Sequence, residues 1–189
     1  PIELFKKWFS KAEESEINDP NAVAVATSNK ENQPNVRMVL LKGLSDKGFV
    51  FYTNFNSKKG NELKENQKAS MCFHWKSLRR QVRAIGKVEE VSAKEADDYF
   101  NSRPYKNRIG AWASSQSKTL DKRETFLNKI KEFEKKYPDE NNVPRPPHWS
   151  GWRLLPEEIE FWLDGDGRIH ERLNYKKNDN KWEKELLYP

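Results

Sequence analysis

The sequence predicts a small, mostly antiparallel β-barrel with appended helices, in the mainly β (α+β) class. Short segments rich in β-branched and aromatic residues recur along the chain and are joined by short turns. Helical periodicity is confined to the start and the middle. At 189 residues the chain is long enough for a sizeable core, and no linker divides it. We therefore expect a single domain spanning residues 1–189.

The first half of the chain is predicted to form most of the sheet. Residues 2–17 carry apolar side chains at helical spacing, and Asp19-Pro20 ends that helix. A short polar helix is expected over 57–67, with Ser57 as its N-cap. Strands are expected at 22–28, 36–44, 49–53, 70–75 and 79–91.

The second half carries two helical patterns and then returns to strands. Ser92 to Glu95 is a capping box that begins a helix running into Tyr99. Residues 120–137 form a charged helix with one apolar side. Asp164-Gly165-Asp166-Gly167 is a hairpin turn signal. Strands that complete the site are expected within 150–189, at 152–155, 159–163, 168–175 and 182–187.

Composition and charge narrow the classes of function. The net charge is +6, but basic and acidic residues are interleaved, which favours small anionic ligands over nucleic acid. A single cysteine, Cys72, excludes an intrachain disulfide, and the three histidines lack metal-ligand spacing. No apolar run is long enough to span a membrane, and no signal peptide is visible at Pro1. We therefore expect a cytoplasmic protein without a metal.

The stretch 99–117, YFNSRPYKNRIGAWASSQS, is the first candidate binding segment. Tyr99, Arg103, Lys106, Arg108 and Gln116 supply hydrogen-bond donors that suit a multiply charged oxyanion such as a phosphate monoester. The alternative is a solvated helix end followed by an ordinary loop.

A second candidate lies in the predicted last hairpin. Arg168, His170 and Arg172 occupy alternate positions, so a regular strand would place them on one face. Two guanidinium groups beside an imidazole are costly unless something anionic or electron-rich lies there; the alternative is a solvent-facing strand. Trp162 could stack on a planar ligand or fill the core.

Further cations stand near predicted strand and helix ends. Arg37 and Lys42 are five residues apart, so a regular strand points them to opposite faces unless it bulges. Lys58 and Lys59 follow the N-cap Ser57, where the helix dipole already favours an anion. Each pair could equally be a solvated surface. Gln81 is predicted to share a strand face with Arg79 and Arg83.

The sequence offers few groups for covalent or hydrolytic chemistry. No phosphate-binding loop, GxGxxG motif or Ser-His-Asp arrangement is present, and Cys72 lies in an apolar strand. A basic, aromatic chain without its own nucleophile suits an organic cofactor that carries the difficult step.

Several motifs together resemble the pyridoxine 5′-phosphate oxidase family. They are RMVLLK at 37–42, FYTN at 51–54, RRQVRAIGKVE at 79–89, SRP and IGAWASSQS within 99–117, IEFW at 159–162 and RIHER at 168–172. The resemblance runs in order from about residue 5 to residue 189. It implies an FMN-binding split β-barrel with peripheral helices, assembled as a homodimer with FMN at the subunit interface.

The resemblance also implies site residues. Substrate phosphate would be held by Lys42, Tyr99 and Arg103, with Asn107 at the position of a phosphate-binding Ser, and Arg168 and His170 would lie over the pyridine ring. The FMN site would be formed by Arg37, Met38, Val39, Leu40, Leu41, Lys42, Tyr52, Thr53, Lys58, Lys59, Gln81, Gln116, Ser117, Trp162 and Arg172.

Three departures from the family pattern are visible. Asn107 replaces the usual Ser, although an amide still donates a hydrogen bond. Lys58 replaces a common Arg, which keeps the charge but loses the bidentate fork. No residue of this sequence matches the segment that covers the substrate in family members.

The implied reaction is oxidation of pyridoxine 5′-phosphate or pyridoxamine 5′-phosphate to pyridoxal 5′-phosphate, with hydride transfer from C4′ to FMN and reduction of O2 to H2O2. Two alternatives remain at this point: a related FMN-dependent oxidase of another ring, of the phenazine-biosynthesis type, and a non-catalytic flavin- or pyridoxal-phosphate-binding protein. Nucleic-acid binding rests on the net charge alone, and we expect neither nucleic acid nor membrane as a partner.

Overall fold

The computed structural model describes residues 1–189 and contains two compact units. The first unit comprises Pro1–Phe51, Glu62–Glu89 and Arg153–Pro189. The second comprises Tyr52–Asn61 and Glu90–Trp152. No helix combines the length and the apolar character needed to cross a bilayer.

Nine strands form one sheet in the order β2-β1-β5-β6-β7-β4-β3, and β8 pairs with β7 and β9. Neighbouring strands whose register is defined run antiparallel. The strands are β1 Ala22–Ser28, β2 Pro34–Leu40, β3 Gly43–Ser45, β4 Gly48–Asn54, β5 Lys68–Trp75, β6 Arg80–Glu90, β7 Trp149–Leu163, β8 Glu171–Asn178 and β9 Lys181–Leu187. The helices are α1 Ile2–Ser15, α2 Lys58–Glu65, α3 Ala93–Ser102, α4 Tyr105–Ala113 and α5 Arg123–Lys136.

An aromatic cluster forms the core of the first unit. The ring of Phe5, on the apolar side of α1, lies 4.9 Å from Phe49 and 4.9 Å from Phe73, in edge-on contacts. Trp75 lies 5.8 Å from Phe5 and donates its indole N–H to the Pro20 carbonyl at 2.8 Å. Such pairs add to the large apolar area that each ring buries, so they anchor α1 on the sheet.

The second unit is organised around the three later helices. The Ser92 hydroxyl accepts the Glu95 amide at 3.1 Å, which confirms the predicted cap of α3. Phe100 and Ile109 are fully buried and pack with Trp149 and with the half-buried aromatic rings of α5. The predicted apolar side of α5 is therefore confirmed.

Most predicted elements are present, but the predictions for residues 105–113, 36–44 and 152–163 were wrong. Residues 105–113 form helix α4, where no helix was predicted. The predicted strand 36–44 is interrupted, because Leu41 and Lys42 separate β2 from β3. The two predicted strands 152–155 and 159–163 are one continuous strand, β7, which runs through Pro156.

Two glycines allow the neighbouring strands to approach β7 closely beside its proline. A Cβ on Gly48 would lie 1.9 Å from the carbonyl oxygen of Leu154, and a Cβ on Gly86 would lie 2.0 Å from that of Leu155. Only glycine allows the neighbouring backbones to approach so closely, and Gly48 also has a φ of 140°. Strands β4 and β6 therefore pack closely against β7 just before Pro156, where the sequence predicts that the strand ends.

Candidate functional site

In the first unit, Arg37 is held by a buried carboxylate. Its guanidinium donates to the Glu62 carboxylate at 3.2 Å, to the Thr27 hydroxyl and to the Val25 carbonyl. Glu62 is 4% exposed and also accepts from Thr27 and from the Asn35 amide. The Arg37 side chain is thus fixed in orientation by β1 and α2.

The charge of Glu62 is stabilised in this position. Burial alone would raise its pKa, but the hydrogen bonds from Thr27, Asn35 and Arg37 together outweigh burial, so the pKa lies below its ordinary value. Glu62 is therefore ionised at neutral pH and keeps a full charge opposite Arg37.

The other predicted residues of the segment 37–42 differ in burial, and they do not all lie on one face of β2. Val39 alternates with Arg37 on the half-buried side of β2, whereas Met38 and Leu40 are exposed. Leu41 is buried, and Lys42 is exposed just after the strand has ended. The opposite-face problem predicted for Arg37 and Lys42 therefore does not arise, because no regular strand connects them.

A second buried carboxylate, Glu160, organises two arginines. It is 3% exposed, accepts from Arg172 Nε at 2.8 Å and Nη2 at 3.2 Å, and pairs with Arg83. Burial opposes its ionisation, but the contacts from Arg172 and Arg83 lower its pKa below the ordinary value.

Gln81 lies on β6, half-buried, in register with His74. Arg79, by contrast, precedes β6 with a φ of 51°, so the prediction that it shares the strand face of Gln81 was wrong.

The hairpin between β7 and β8 does not have the predicted geometry. Residues Asp166–Arg168 form a 3-10 turn, Arg168 is exposed with a φ of 65°, and β8 begins only at Glu171. The prediction that Arg168, His170 and Arg172 share one strand face was therefore wrong. The predicted turn residues 164–167 belong to a longer loop of residues 164–170, because Leu163 pairs with Glu171.

His170 is nevertheless held in a defined position. Its ring lies 4.6 Å from the ring of Trp162, tilted by 43°. Its Nδ1 atom lies 3.1 Å from the Asp164 carboxylate and 3.2 Å from the backbone nitrogen of Gly165. A Cβ on Gly165 would lie 2.0 Å from the Ile169 carbonyl, so the tight loop requires glycine here.

In the second unit, three predicted FMN residues are hydrogen-bonded to one another. Lys59 Nζ donates to the Thr53 hydroxyl at 3.0 Å and to Gln116 Oε1 at 3.3 Å, and the Thr53 hydroxyl lies 3.2 Å from the same Gln116 oxygen. Lys58 is exposed at the start of α2, where Ser57 accepts the Gly60 amide as predicted. Ser117 is exposed and has a φ of 68°.

The predicted phosphate residues of the second unit surround an aromatic stack. The ring of Tyr99 lies 4.0 Å from that of Tyr52, and Tyr52 stacks on Trp149 at 5.2 Å. The Arg103 guanidinium lies 4.7 Å above the Trp149 ring. Asn107 is exposed in the first turn of α4.

Arg103 has a buried hydrogen-bond donor that an anion could satisfy. Its Nη1 atom is buried and has no hydrogen-bond partner. Burial lowers the pKa of its guanidinium, partly offset by Tyr99 and reinforced by the nearby charge of Arg108. Burial likewise raises the pKa of the Tyr99 hydroxyl, so that group is a neutral donor at physiological pH. An anion at this position would supply the missing partner and the missing countercharge.

Three carboxylates that orient cationic side chains were not predicted from the sequence: Glu62, Glu160 and Asp164. Glu160 had a detectable signal, since it stands inside the apolar run IEFW, where a charged side chain needs a partner. Glu62 and Asp164 had none, because each lies in a polar segment, and the arginine that pairs with each of them is distant in sequence.

Oriented arginines and clustered lysines suit the binding of phosphate groups. Stacked aromatic rings suit the packing of flat ring systems. The family model described as pyridoxamine 5′-phosphate oxidase matches residues 9–137. The model described as the pyridoxine 5′-phosphate oxidase C-terminal dimerisation region matches residues 149–189. The chain belongs to the pyridoxamine 5′-phosphate oxidase family.

Full-length relatives bear the corresponding name. The chain is 60% identical to the pyridoxine/pyridoxamine 5′-phosphate oxidase of Pelagibacter ubique, over 100% of this chain and 91% of that protein. It is 53% identical to that of Sinorhizobium fredii, over 100% of this chain and 92% of that protein.

Solved structures confirm the predicted split β-barrel. PhzG from Burkholderia lata, solved with tetrahydrophenazine-1-carboxylic acid, superposes with a TM-score of 0.94 at 31% identity, over 100% of this chain and 92% of that one. An FMN-binding, oxidase-related protein from Nostoc punctiforme has a TM-score of 0.80 at 16% identity, over 100% of this chain and 98% of that one. The match to the dimerisation region also supports the predicted homodimer.

Proposed function

We propose that this protein is an FMN-dependent oxidase that converts pyridoxine 5′-phosphate or pyridoxamine 5′-phosphate to pyridoxal 5′-phosphate. The observation that carries the proposal is 60% identity, over the whole chain, to a protein of that name. The phenazine-type alternative is less favoured, because identity to PhzG is 31%. The non-catalytic alternative is less favoured because these full-length relatives are named oxidases.

The residues present fit FMN, a flat ring system with a phosphate. In the second unit, Lys59, Thr53 and Gln116 form a polar cluster, with Lys58 at the start of α2 and Tyr52 and Ser117 as further contacts. In the first unit, the proposed contacts to FMN are Gln81, Trp162, Arg172 and the segment 37–42. These groups suit a phosphate in each unit, through lysine ammonium groups in the second and through oriented guanidinium groups in the first.

One of the proposed substrate contacts is supported by an unsatisfied polar atom. Arg103, with its buried and unpartnered Nη1 atom, binds the substrate phosphate together with Tyr99 and Asn107. Lys42, exposed after β2, is a further phosphate contact. Anchoring the phosphate fixes the far end of the substrate, which positions the reacting carbon without covalent help from the protein.

The protein's own side chains position and polarise the substrate. A bound FMN would supply the acceptor for the hydride from C4′, with dioxygen as the final oxidant and H2O2 as its product. Arg168 carries a permanent charge toward the pyridine ring and its substituents, and His170 provides a hydrogen bond near C4′. With pyridoxamine 5′-phosphate, water then releases ammonia. In the homodimer, FMN lies at the subunit interface.

The test begins with the purified protein, which should be yellow and should release FMN on denaturation. Pyridoxal 5′-phosphate and H2O2 should form in equal amounts from either vitamer phosphate. A colourless protein that cannot be loaded with FMN would refute the cofactor assignment. A yellow protein that oxidises reduced phenazine carboxylates but neither vitamer would establish the phenazine-type alternative instead.

A further inference from the structure

Arg103 differs from two other arginines of the candidate site in the groups that hold it. The guanidinium groups of Arg37 and Arg172 each donate to a buried carboxylate. The titratable groups that influence the pKa of Arg103 are Tyr99 and Arg108, and neither is a carboxylate. The charge of Arg103 is therefore not neutralised by an acidic side chain.

Two aromatic rings lie against the Arg103 guanidinium instead. Its central carbon is 4.7 Å from the centre of the Trp149 ring and 5.6 Å from that of the Phe100 ring. An aromatic face attracts a cation through its quadrupole. A carboxylate would take up N–H donors and neutralise the charge, whereas a ring does neither. Arg103 thus keeps its charge and its buried, unpartnered Nη1 atom for a ligand.

Trp149 is held firmly in its position beside this guanidinium. It is 6% exposed, and its ring packs edge-on against Phe100 at 5.1 Å. Its backbone carbonyl accepts Arg145 Nη1 at 2.8 Å, and Arg145 Nε donates to the Asp97 carboxylate at 2.6 Å. Asp97 lies on α3, and Arg103 directly follows that helix. The backbone of Trp149 is therefore tied to the helix that leads into Arg103.

We propose that Trp149 is a positioning residue, which holds the Arg103 guanidinium ready for the substrate phosphate without competing with that phosphate for the arginine. The inference rests on the proposed function, in which Arg103 binds this phosphate. Without the ring, the long arginine side chain would have to be ordered when the phosphate binds. Ordering one such side chain weakens binding about 2- to 12-fold.

Trp149→Leu removes the ring, and its effect is measured by isothermal titration of the FMN-loaded protein with 4′-deoxypyridoxine 5′-phosphate. This analogue carries neither a hydroxyl nor an amino group at C4′, so it binds without being oxidised. We expect its dissociation constant to rise about 2- to 12-fold. In turnover, the KM for pyridoxine 5′-phosphate should rise as well.

Phe133→Leu is the matched control for this substitution. Phe133 packs against the same aromatic cluster as Trp149, whereas the rings beside the Arg103 guanidinium are those of Trp149 and Phe100. The control should bind the analogue with wild-type affinity. An equal loss of affinity in Phe133→Leu and Trp149→Leu would show a general loosening of the cluster and would overturn the positioning role.

A double-mutant cycle shows whether Trp149 acts through Arg103. In the Arg103→Ala background, Trp149→Leu should cause no further loss, because no guanidinium is left to position. Multiplicative losses would show that Trp149 acts independently and would overturn the proposal. A wild type that does not bind the analogue would refute the proposed function. A wild type that binds it, with unchanged affinity in Trp149→Leu, would overturn the positioning role alone.

A fluorinated tryptophan at position 149 tests the same contact if Trp149→Leu does not fold. Fluorination keeps the shape of the ring and weakens its negative face, which is the feature that attracts the guanidinium. The analogue should bind this protein more weakly than the wild type, and fluorination should have no effect in the Arg103→Ala background. Wild-type affinity in the fluorinated protein would overturn the proposal.

Discussion

At the scale of single residues, the candidate site is defined by arginines whose partners differ. Arg37 and Arg172 are each paired with a buried carboxylate and are therefore fixed before any ligand binds. Arg103 has a buried Nη1 atom without a partner, and Arg168 is exposed on a turn. The first two are pre-oriented, whereas the second two have donors that a ligand can use.

Arg103→Ala should weaken substrate binding and leave FMN in place. Losing one charge-assisted contact costs about 1.5–3 kcal/mol, which corresponds to an affinity loss of about 10- to 150-fold. Arg103→Lys is the matched variant, because it keeps the charge but loses the planar fork, and its loss should be smaller. The measurements are the KM for pyridoxine 5′-phosphate and the FMN content. Release of flavin with unchanged substrate affinity would show that Arg103 belongs to the cofactor site.

Arg168→Ala and His170→Asn should both impair catalysis in a protein that stays yellow and dimeric. His170→Asn should lower turnover about tenfold, because orientation by one hydrogen bond lies at the weak end of acid–base effects. Arg168→Ala should reduce both binding and turnover, because we propose that its charge acts on the substrate ring. Stopped-flow reduction of the bound flavin by pyridoxine 5′-phosphate measures both effects. Wild-type reduction rates would remove these two residues from the site.

At the scale of elements, buried ion pairs join segments that are distant in sequence. Glu62 connects α2 to β1 and β2 through Thr27, Asn35 and Arg37. Glu160 connects β7 to β6 and β8 through Arg83 and Arg172. Removing one partner of such a pair leaves an uncompensated buried charge, which costs far more than the net contribution of the pair.

Glu62→Gln should therefore destabilise the protein at neutral pH, by up to about 3–5 kcal/mol. The pKa of Glu62 is lowered in the folded state, so its stabilising effect is complete above the ordinary glutamate value and is lost as the pH falls through the folded-state pKa. The stability difference between wild type and variant should accordingly narrow on acidification.

Urea denaturation at several pH values measures this difference. The other carboxylates are common to both proteins, so their contributions cancel to first order. Glu65→Gln, an exposed change on the same helix, is the control and should show a small difference at every pH. If the difference in free energy of unfolding between wild type and Glu62→Gln stays constant or widens at low pH, that result would contradict the ion pair of Glu62 with Arg37.

At the scale of the whole molecule, the match of residues 149–189 to a dimerisation region supports assembly as a homodimer. Light scattering at micromolar concentration should give about twice the 22.4 kDa chain mass. If FMN lies at the interface, dilution that dissociates the dimer should also release the flavin. A monomer that still holds FMN would contradict a shared site.

The sequence by itself determined the fold class, the order of most elements, the caps at Ser57 and Ser92 and the family, because these depend on local periodicity, capping chemistry and contiguous motifs. Helix α4 was not predicted, because its residues were interpreted as part of a polar binding loop. Only the tertiary structure decided that β7 runs through Pro156, where Gly48 and Gly86 allow the neighbouring strands to approach it closely. It also decided which carboxylate meets which cation: Glu62 with Arg37, Glu160 with Arg172, and Asp164 with His170. The first two pairs join separate strands and helices, and Asp164 and His170 lie at the two ends of one loop. The geometry of each pair therefore depends on how the backbone folds between its two residues.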